Sequence, residues 1–203
     1  MTDTRLTFEC RMAYVHLDKP RASAEGATPK FSVTALVPKD SPIVKQIKEA
    51  TAAAKLAKFG AKPPTGLRSC VRDGDEKDDE GNFVRAGEEF RNHYYIGCSS
   101  TKAVPVVIGK NRIPATTDQM VSGYYAAVSV NFYGYDAAGN KGIGAGLNAV
   151  WITRRGERLG GADPEAAFAE MKVEVDDFTA ASGFAGDPFA AAATNKAALG
   201  DEF

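Results

Sequence analysis

The chain has 203 residues, 44% of them hydrophobic and 25% charged, with a formal net charge of −1, which suits a water-soluble protein with core enough for one domain. No apolar run reaches bilayer length and the first ten residues mix Asp, Arg and Glu, so neither a spanning helix nor a secretory leader is expected and the chain reads as a cytoplasmic protein without a membrane anchor. Three cysteines at long separations, Cys10, Cys70 and Cys98, argue against a disulfide framework and are read as buried thiols.

From Thr4 to Leu17 the residues alternate, with Leu6, Phe8, Cys10, Met12 and Tyr14 on one side and Arg5, Thr7, Glu9 and Arg11 on the other, which predicts a long half-buried strand. Arg21 to Pro29 reads as a loop. Lys30 to Val37 alternates again through Phe31, Val33, Ala35 and Val37 until Pro38 stops it, so the two strands can form a hairpin. Ser41-Pro42 offers an N-cap and a first-turn proline, and Ile43, Ile47, Ala50, Ala54 and Ala57 recur at helical spacing as far as Gly60.

After a Pro-rich connector at Lys62 to Gly66, a short strand at Arg68 to Arg72 runs into the acidic stretch Asp73 to Gly81, whose charge density belongs in solvent. Further strands are expected at Arg91 to Cys98, Val104 to Ile108, Tyr124 to Tyr135 and Ile143 to Thr153. Six or seven strands with one helix predict a mainly β chain, folded as a closed or nearly closed antiparallel barrel with an inserted helix.

Residues 1–160 are read as this domain and 161–203 as an acidic, Ala/Gly-rich flexible tail, with a short helix capped at Asp163-Pro164 and running through Met171. Charge follows the same division. Residues 1–159 carry 23 Lys and Arg against 17 Asp and Glu, whereas 160–203 carry two against nine and end on Asp201-Glu202-Phe203. A basic body joined to an acidic arm suggests a polyanion as ligand, nucleic acid first, with the arm as its competitor.

Parity on the strand Tyr124 to Tyr135 sends Ala126, Val128, Val130 and Phe132 to the core and Tyr125, Ser129, Asn131, Tyr133 and Tyr135 outward. By the same rule Tyr94, Ile96 and Cys98 point inward, and Arg91, His93 and Tyr95 outward. Rows of tyrosine with small polar residues between them suit the stacking of unpaired bases, although tyrosines also favour half-buried strands for packing alone. Arg68, Arg72, Arg91, Lys102 and Lys141 lie near these strands and could track a sugar-phosphate backbone.

Other chemistry finds little support. The stretch from Asp73 lacks calcium-loop spacing, since its twelfth position is Val84 instead of Glu. A small Mg²⁺ nuclease or nucleotide-processing enzyme built on Asp73 and Asp75 remains the rival reading. Gly139 to Leu147 lacks the Gly-Lys-Ser/Thr of a phosphate loop and reads as a turn into a strand whose glycines admit another chain closely. Two histidines, His16 and His93, without close cysteine partners give no zinc or nucleophile pattern.

Several of these pieces occur in a familiar order: Arg72-Asp73-Gly74-Asp75-Glu76, Tyr94-Tyr95-Ile96 before Ser99-Ser100, Pro105-Val106-Val107, Ser122-Gly123-Tyr124, Asn131-Phe132-Tyr133, Gly139-Asn140-Lys141-Gly142 and Gly146-Leu147-Asn148. Over nearly its whole length the chain resembles a family of bacteriophage single-stranded DNA-binding proteins, once known only as a domain of unknown function. That family is similar to the replication single-strand-binding proteins of short-tailed phages. The resemblance implies an OB-fold barrel with a helix among its strands, and a protein of the host cell cytoplasm that coats unwound DNA in phage replication, recombination or repair. It implies no catalytic activity, metal or cofactor. It also implies an acidic tail whose Asp201, Glu202 and Phe203 dock a polymerase, helicase or primase, on a monomer or homodimer. The tail departs from the pattern in one respect, because its acids are dispersed and only two directly precede Phe203.

Overall fold

In a computed structural model that describes residues 4–137 and 139–160, the alternating segments become five long strands wound into a closed barrel. They are β1 (Arg5–Arg21) and β2 (Lys30–Pro38), which precede helix α1 (Ile43–Phe59), then β5 (His93–Ser100), β8 (Tyr125–Ala137) and β9 (Asn140–Arg154). Four shorter strands, β3 (Arg68–Ser69), β4 (Val71–Asp73), β6 (Val106–Ile108) and β7 (Ile113–Pro114), decorate the barrel. The expected tail helix and the terminal Asp201, Glu202 and Phe203 lie outside the described residues. Among those described, no helix is long and apolar enough to cross a membrane.

Pairing is antiparallel from β5 through β2, β1 and β8 to β9. A parallel step of β5 on β9, Cys98 beside Ala145 and Ser99 beside Gly146, closes the ring. Five strands closed in this order make an OB-fold barrel. Its interior holds Phe8, Cys10, Met12, Val33, Ala35, Ile96, Val128, Val130 and Phe132, the inward residues that parity assigns, together with Leu147, Val150 and Ile152 of β9, where a register shift against β8 between Leu147 and Ala149 breaks the alternation. Val44, Ile47, Ala50 and Ala54 of α1 join the same core.

Three expectations need correction, and one short strand has no signature in the sequence. The single strand at Arg68 to Arg72 is broken at Cys70, because β3 pairs parallel to β9 while β4 pairs antiparallel to β5, and one straight segment cannot serve both. The pair of residues in β7 is too short to carry any periodicity. At the helix, Pro42 stands at the cap with αR dihedrals and no side chain caps it, Ser41 giving only its carbonyl to the Val44 N–H; the final turn leaves Ala57 exposed. Tyr14, assigned to the core side, is 48% exposed. Its φ of +49° marks an irregularity in the β1–β2 ladder between Ala13 and His16, and the extra residue reverses parity, so that Ala13 and Tyr14 both leave the interior while Val15 and Leu17 return to it.

The stretch between β4 and β5 is not simply solvated. It packs Phe90 onto the outer barrel surface against Ala13 and Leu36, with Tyr95 and Leu159 at the edge of this second cluster. Outward-facing Leu36 is thereby buried, which alternation within β2 does not foretell. Lys39, just after β2, holds the segment's start by reaching Asp73 at 2.5 Å and Asp75 at 2.8 Å. Burial pushes the Asp73 carboxyl up, but the Lys39 hydrogen bond and charge and the Asp75 N–H outweigh it and hold it below its ordinary 3.8. Lys39 and the Asn92 N–H likewise lower Asp75, and the two carboxylates raise Lys39 above its ordinary 10.5.

Groups with these shifts stabilise the fold above the ordinary carboxylate value and below the ordinary lysine value. Their contribution disappears as pH falls through the depressed carboxylate values or rises through the raised lysine value. Lys39→Met should therefore lower the melting temperature at neutral pH, with the difference from the parent vanishing in strong acid. A difference that persisted in strong acid would show that the ion pairs do not pin this segment.

Candidate nucleic-acid interface

The outer surface of β1, β2 and β5 carries a groove made by three successive hollows that share residues at their borders. The first, about 580 Å³, is lined by Tyr14, His16, Arg21, Ser32, Thr34 and Arg85. It runs through Arg21, Ser23 and Ser32 into a second of about 370 Å³ that includes Thr28 and Lys30. Lys30 and Ser99 then open onto a third, about 330 Å³, floored by Ser100, Thr101, Asn131, Tyr133 and Gly146. Arg21 and Lys30 face each other because they are the last paired residues of the β1–β2 hairpin. The groove thus runs over the β1–β2 hairpin and its loop to the end of β5 and the adjoining parts of β8 and β9, and so takes in the second and third barrel strands and the first hairpin loop, part of the surface on which OB-folds hold oligonucleotides.

At the third hollow the strand pattern builds a ring platform. β8 pairs with β9 so that Tyr133 faces Gly144 and Tyr135 faces Gly142. A Cβ placed on Gly144 would stand 2.8 Å from the Tyr133 ring, and one on Gly142 would stand 2.9 Å from the Tyr135 hydroxyl and 2.4 Å from the Arg68 carbonyl. The glycines at 142, 144 and 146 are therefore a track with no side chains, on which the Tyr133 ring lies and beside which β3 approaches. One face of Tyr133 is backed by the strand, while the residue stays 42% exposed. Tyr135 lies 6.5 Å away, ring centre to ring centre. Burial raises the Tyr133 hydroxyl above its ordinary 10.0, so this ring is neutral and polar at its tip.

At the first hollow three rings meet. Phe90 stacks on Tyr14 at 6.1 Å and meets Tyr95 edge-on at 5.3 Å. The Arg85 guanidinium sits 4.8 Å from Tyr14, 5.0 Å from Phe90 and 6.0 Å from Tyr95, and its buried Nε has no hydrogen-bond partner. Among the described residues Arg21, Lys30, Arg68 and Lys102 have no ion-pair partner, the pairs being those of Lys39 and Lys141. A run of unpaired cations with aromatic rings at both ends suits a sugar-phosphate chain carrying unstacked bases.

The residues picked out in the sequence are only partly gathered here. Tyr133, Tyr135, Arg68 and Lys141 share the glycine-track end, where Lys141 is tied to Asp136 at 3.1 Å, and Lys102 follows in the turn after β5. Tyr95 and, opposite it on β4, Arg72 belong to the other end. Tyr125 stands apart, eight residues from Tyr133 along β8. Arg91 is a correction: it does not face outward freely, because it donates to the Gly74 and Arg85 carbonyls and lies 3.5 Å over the Phe83 ring. Arg21, Lys30, Tyr14 and Arg85 join the groove from outside the set that the sequence marks. The signal for the first two was their place at either end of the predicted hairpin loop; Tyr14 and Arg85 depend on the bulge and on the packing of Phe90.

Asp73 and Asp75, the carboxylates of the nuclease reading, both close on Lys39, whose ammonium takes the position between them that a cation would need. Among the described residues no group of three or more His, Cys, Asp or Glu side chains could hold a metal ion. Cys10 and Cys98 are buried, and burial pushes the Cys10 thiol up to about 12, far from the thiolate that redox or nucleophilic chemistry requires.

Comparison with known proteins follows the same line. A family model described as the single-stranded DNA-binding protein of Enterobacter phage Enc34 matches residues 5–179. Protein p50 of Acyrthosiphon pisum secondary endosymbiont phage 1 is 31% identical over 164 residues, covering 74% of this chain and 83% of that one. The single-stranded DNA-binding protein from bacteriophage Enc34 in complex with single-stranded DNA superposes with a TM-score of 0.66 at 24% identity, covering 77% of this chain and 90% of that chain. Its C-terminal truncation gives 0.65 at 22%, with 77% and 88% covered. At these identities the two structures establish a shared fold.

Proposed function

Since this chain belongs to the phage Enc34 single-stranded DNA-binding family, we propose that it binds single-stranded DNA in the groove from Tyr14 to Tyr133 and coats unwound strands in phage replication, recombination or repair. The observation that carries this reading is the continuity of the groove. Unpaired Arg21 and Lys30 line its middle, and the exposed rings of Tyr14 and Tyr133 stand at its two ends. Every base has a π-face, so stacking on Tyr133 supplies affinity without sequence preference, at about 1–3 kcal/mol per base. The cations add a term that falls with salt, because each neutralised phosphate releases counterions. Nothing in such binding requires a bond to be made or broken.

The acidic residues 161–203 enter the same reading as a competitor for the basic surface, with Asp201, Glu202 and Phe203 as the anchor for a polymerase, helicase or primase. An apolar ring preceded by two carboxylates fits a protein pocket better than a phosphate track.

Titration of a fluorescent oligonucleotide at several salt concentrations tests the proposal. Single strands should bind more tightly than duplex, and four phosphates neutralised by Arg21, Lys30, Arg68 and Lys102 would give a slope of log affinity on log salt of about −3. A chain cut after Gly160 should bind more tightly at low salt and converge on the full chain at high salt. Equal affinity for duplex and single strands would overturn the reading.

A further inference from the structure

Strand register places six outward residues side by side in one row across the barrel: Arg154, Tyr125, Arg11, Leu36, Tyr95 and Arg72, from β9 through β8, β1, β2 and β5 to β4. Cations and rings alternate along it except at Leu36. The Tyr95 end borders the groove already described, where Arg85 reaches over that ring. At the other end, the Arg154 guanidinium lies 3.5 Å over the Tyr125 ring and the Arg11 guanidinium 6.0 Å from it. Arg11 and the ring itself are fixed. Arg11 donates to the Gly123 and Glu157 carbonyls at 3.2 and 2.9 Å, and a Cβ on Gly156 would stand 2.9 Å from the Tyr125 ring, so the chain after β9 can pass there only as glycine. In front of the ring opens a hollow of about 440 Å³, lined also by Glu9, Leu36, Pro38, Ser41 and His93.

We propose that this hollow is a second docking point for one unpaired nucleotide of the DNA strand that occupies the groove, its base stacking on the Arg154 guanidinium over Tyr125. The inference rests on the proposed function and extends it to a site at the far end of β8. Arginine planes accept bases as aromatic rings do, and a guanidinium already held over a ring loses little freedom when a base covers it. Leu36 forms part of both the hollow and the Phe90 cluster, so the site adjoins the end of the groove. Glu9 on the rim can accept from an exocyclic amine, which favours cytosine, adenine or guanine over thymine.

Two docking points on one flexible ligand convert the second contact into an intramolecular step. Tyr125 and Tyr133 are separated by at most about 27 Å along the strand, so a short oligonucleotide fills one site and a longer one fills both. Oligodeoxycytidylates of about 4 to about 16 nucleotides, the span of OB-fold site sizes, should show a step in affinity of about 5- to 150-fold with length, the worth of one stacked base. Arg154→Gln should remove the step and leave affinity for the shortest oligonucleotides unchanged. Tyr125→Ala should do the same, with thermal unfolding as the check that it folds. If Tyr125→Ala does not fold, exposed Arg154 decides alone. Tyr133→Ala should instead weaken binding at every length. A folded Arg154→Gln protein that kept the step would overturn the second docking point while leaving the groove intact. Loss of single-strand binding at all lengths in the unaltered protein would overturn the groove reading itself.

Discussion

Phe132→Ala is expected to cost about 3–5 kcal/mol of stability, whereas Tyr133→Ala, one residue along, should cost about 1–3 kcal/mol of single-strand affinity and little stability. The two side chains leave the same strand on opposite faces. Phe132 is 1% exposed among Phe8, Val128, Val130, Ile143 and Ala145, where no neighbour can move in to fill the space of a lost ring. A domain of this size loses about 2–4 °C of melting temperature per kcal/mol, so Phe132→Ala should melt roughly 6–20 °C lower. Tyr133 rests on glycines, and its removal uncovers a strip of backbone at the surface without opening a cavity. Thermal unfolding and oligonucleotide titration on both variants separate the two effects. If Tyr133→Ala unfolded the protein while Phe132→Ala merely weakened binding, the outward assignment of the β8 tyrosines would be wrong.

Phe90→Ala should produce the other large effect, of a different kind. The ring is fully buried, yet its partners Ala13, Leu36 and Tyr95 are on the outside of the barrel, so the barrel core does not depend on it. Truncating a buried phenylalanine forfeits about 3–5 kcal/mol of packing, but the segment between β4 and β5 can open locally before the barrel yields. The melting temperature should accordingly fall less than for Phe132→Ala. Tryptic cleavage after Lys77 and Arg85 should accelerate many-fold, and Tyr14 and Tyr95 should lose the Arg85 guanidinium that stands over them. Unchanged cleavage at those two sites would show that the Lys39 ion pairs and the Arg91 hydrogen bonds hold the segment without Phe90.

The acidic stretch Asp73 to Gly81 shows how local composition can mislead. Its charge density is that of a solvated loop, and Glu76 to Gly81 are indeed exposed. The segment that it opens is nevertheless bound to the barrel at both ends, by Lys39 at Asp73 and Asp75 and by Phe90 just before β5. Neither contact has a sequence signature, since Lys39 and Asp73 are 34 residues apart and meet only because β2 and β4 both pair with β5. Arg91 was drawn into the same segment for the same reason. The glycines after Gly139 were legible in part: a strand that spares side chains at 142, 144 and 146 announces a close neighbour, but only the pairing of β9 with β8 on one side and β3 on the other identifies the neighbours as Tyr133 and Arg68.

What the sequence determined by itself was whatever period and punctuation encode: the long strands, the single helix, the inward set Ala126, Val128, Val130 and Phe132, and the unlike charge of the two chain segments. Side chains two apart on a strand or three to four apart on a helix share a face whatever the rest of the chain does, so those assignments need no knowledge of what lies opposite. The closure of the barrel, the bulge that turns Tyr14 outward, and the union of Arg21, Lys30, Arg85, Tyr14 and Tyr133 along one groove were decided by the tertiary structure alone. Each depends on which strands pair and in what register. Register is a compromise between hydrophobic faces and loop geometry on several strands at once, and no single segment contains it.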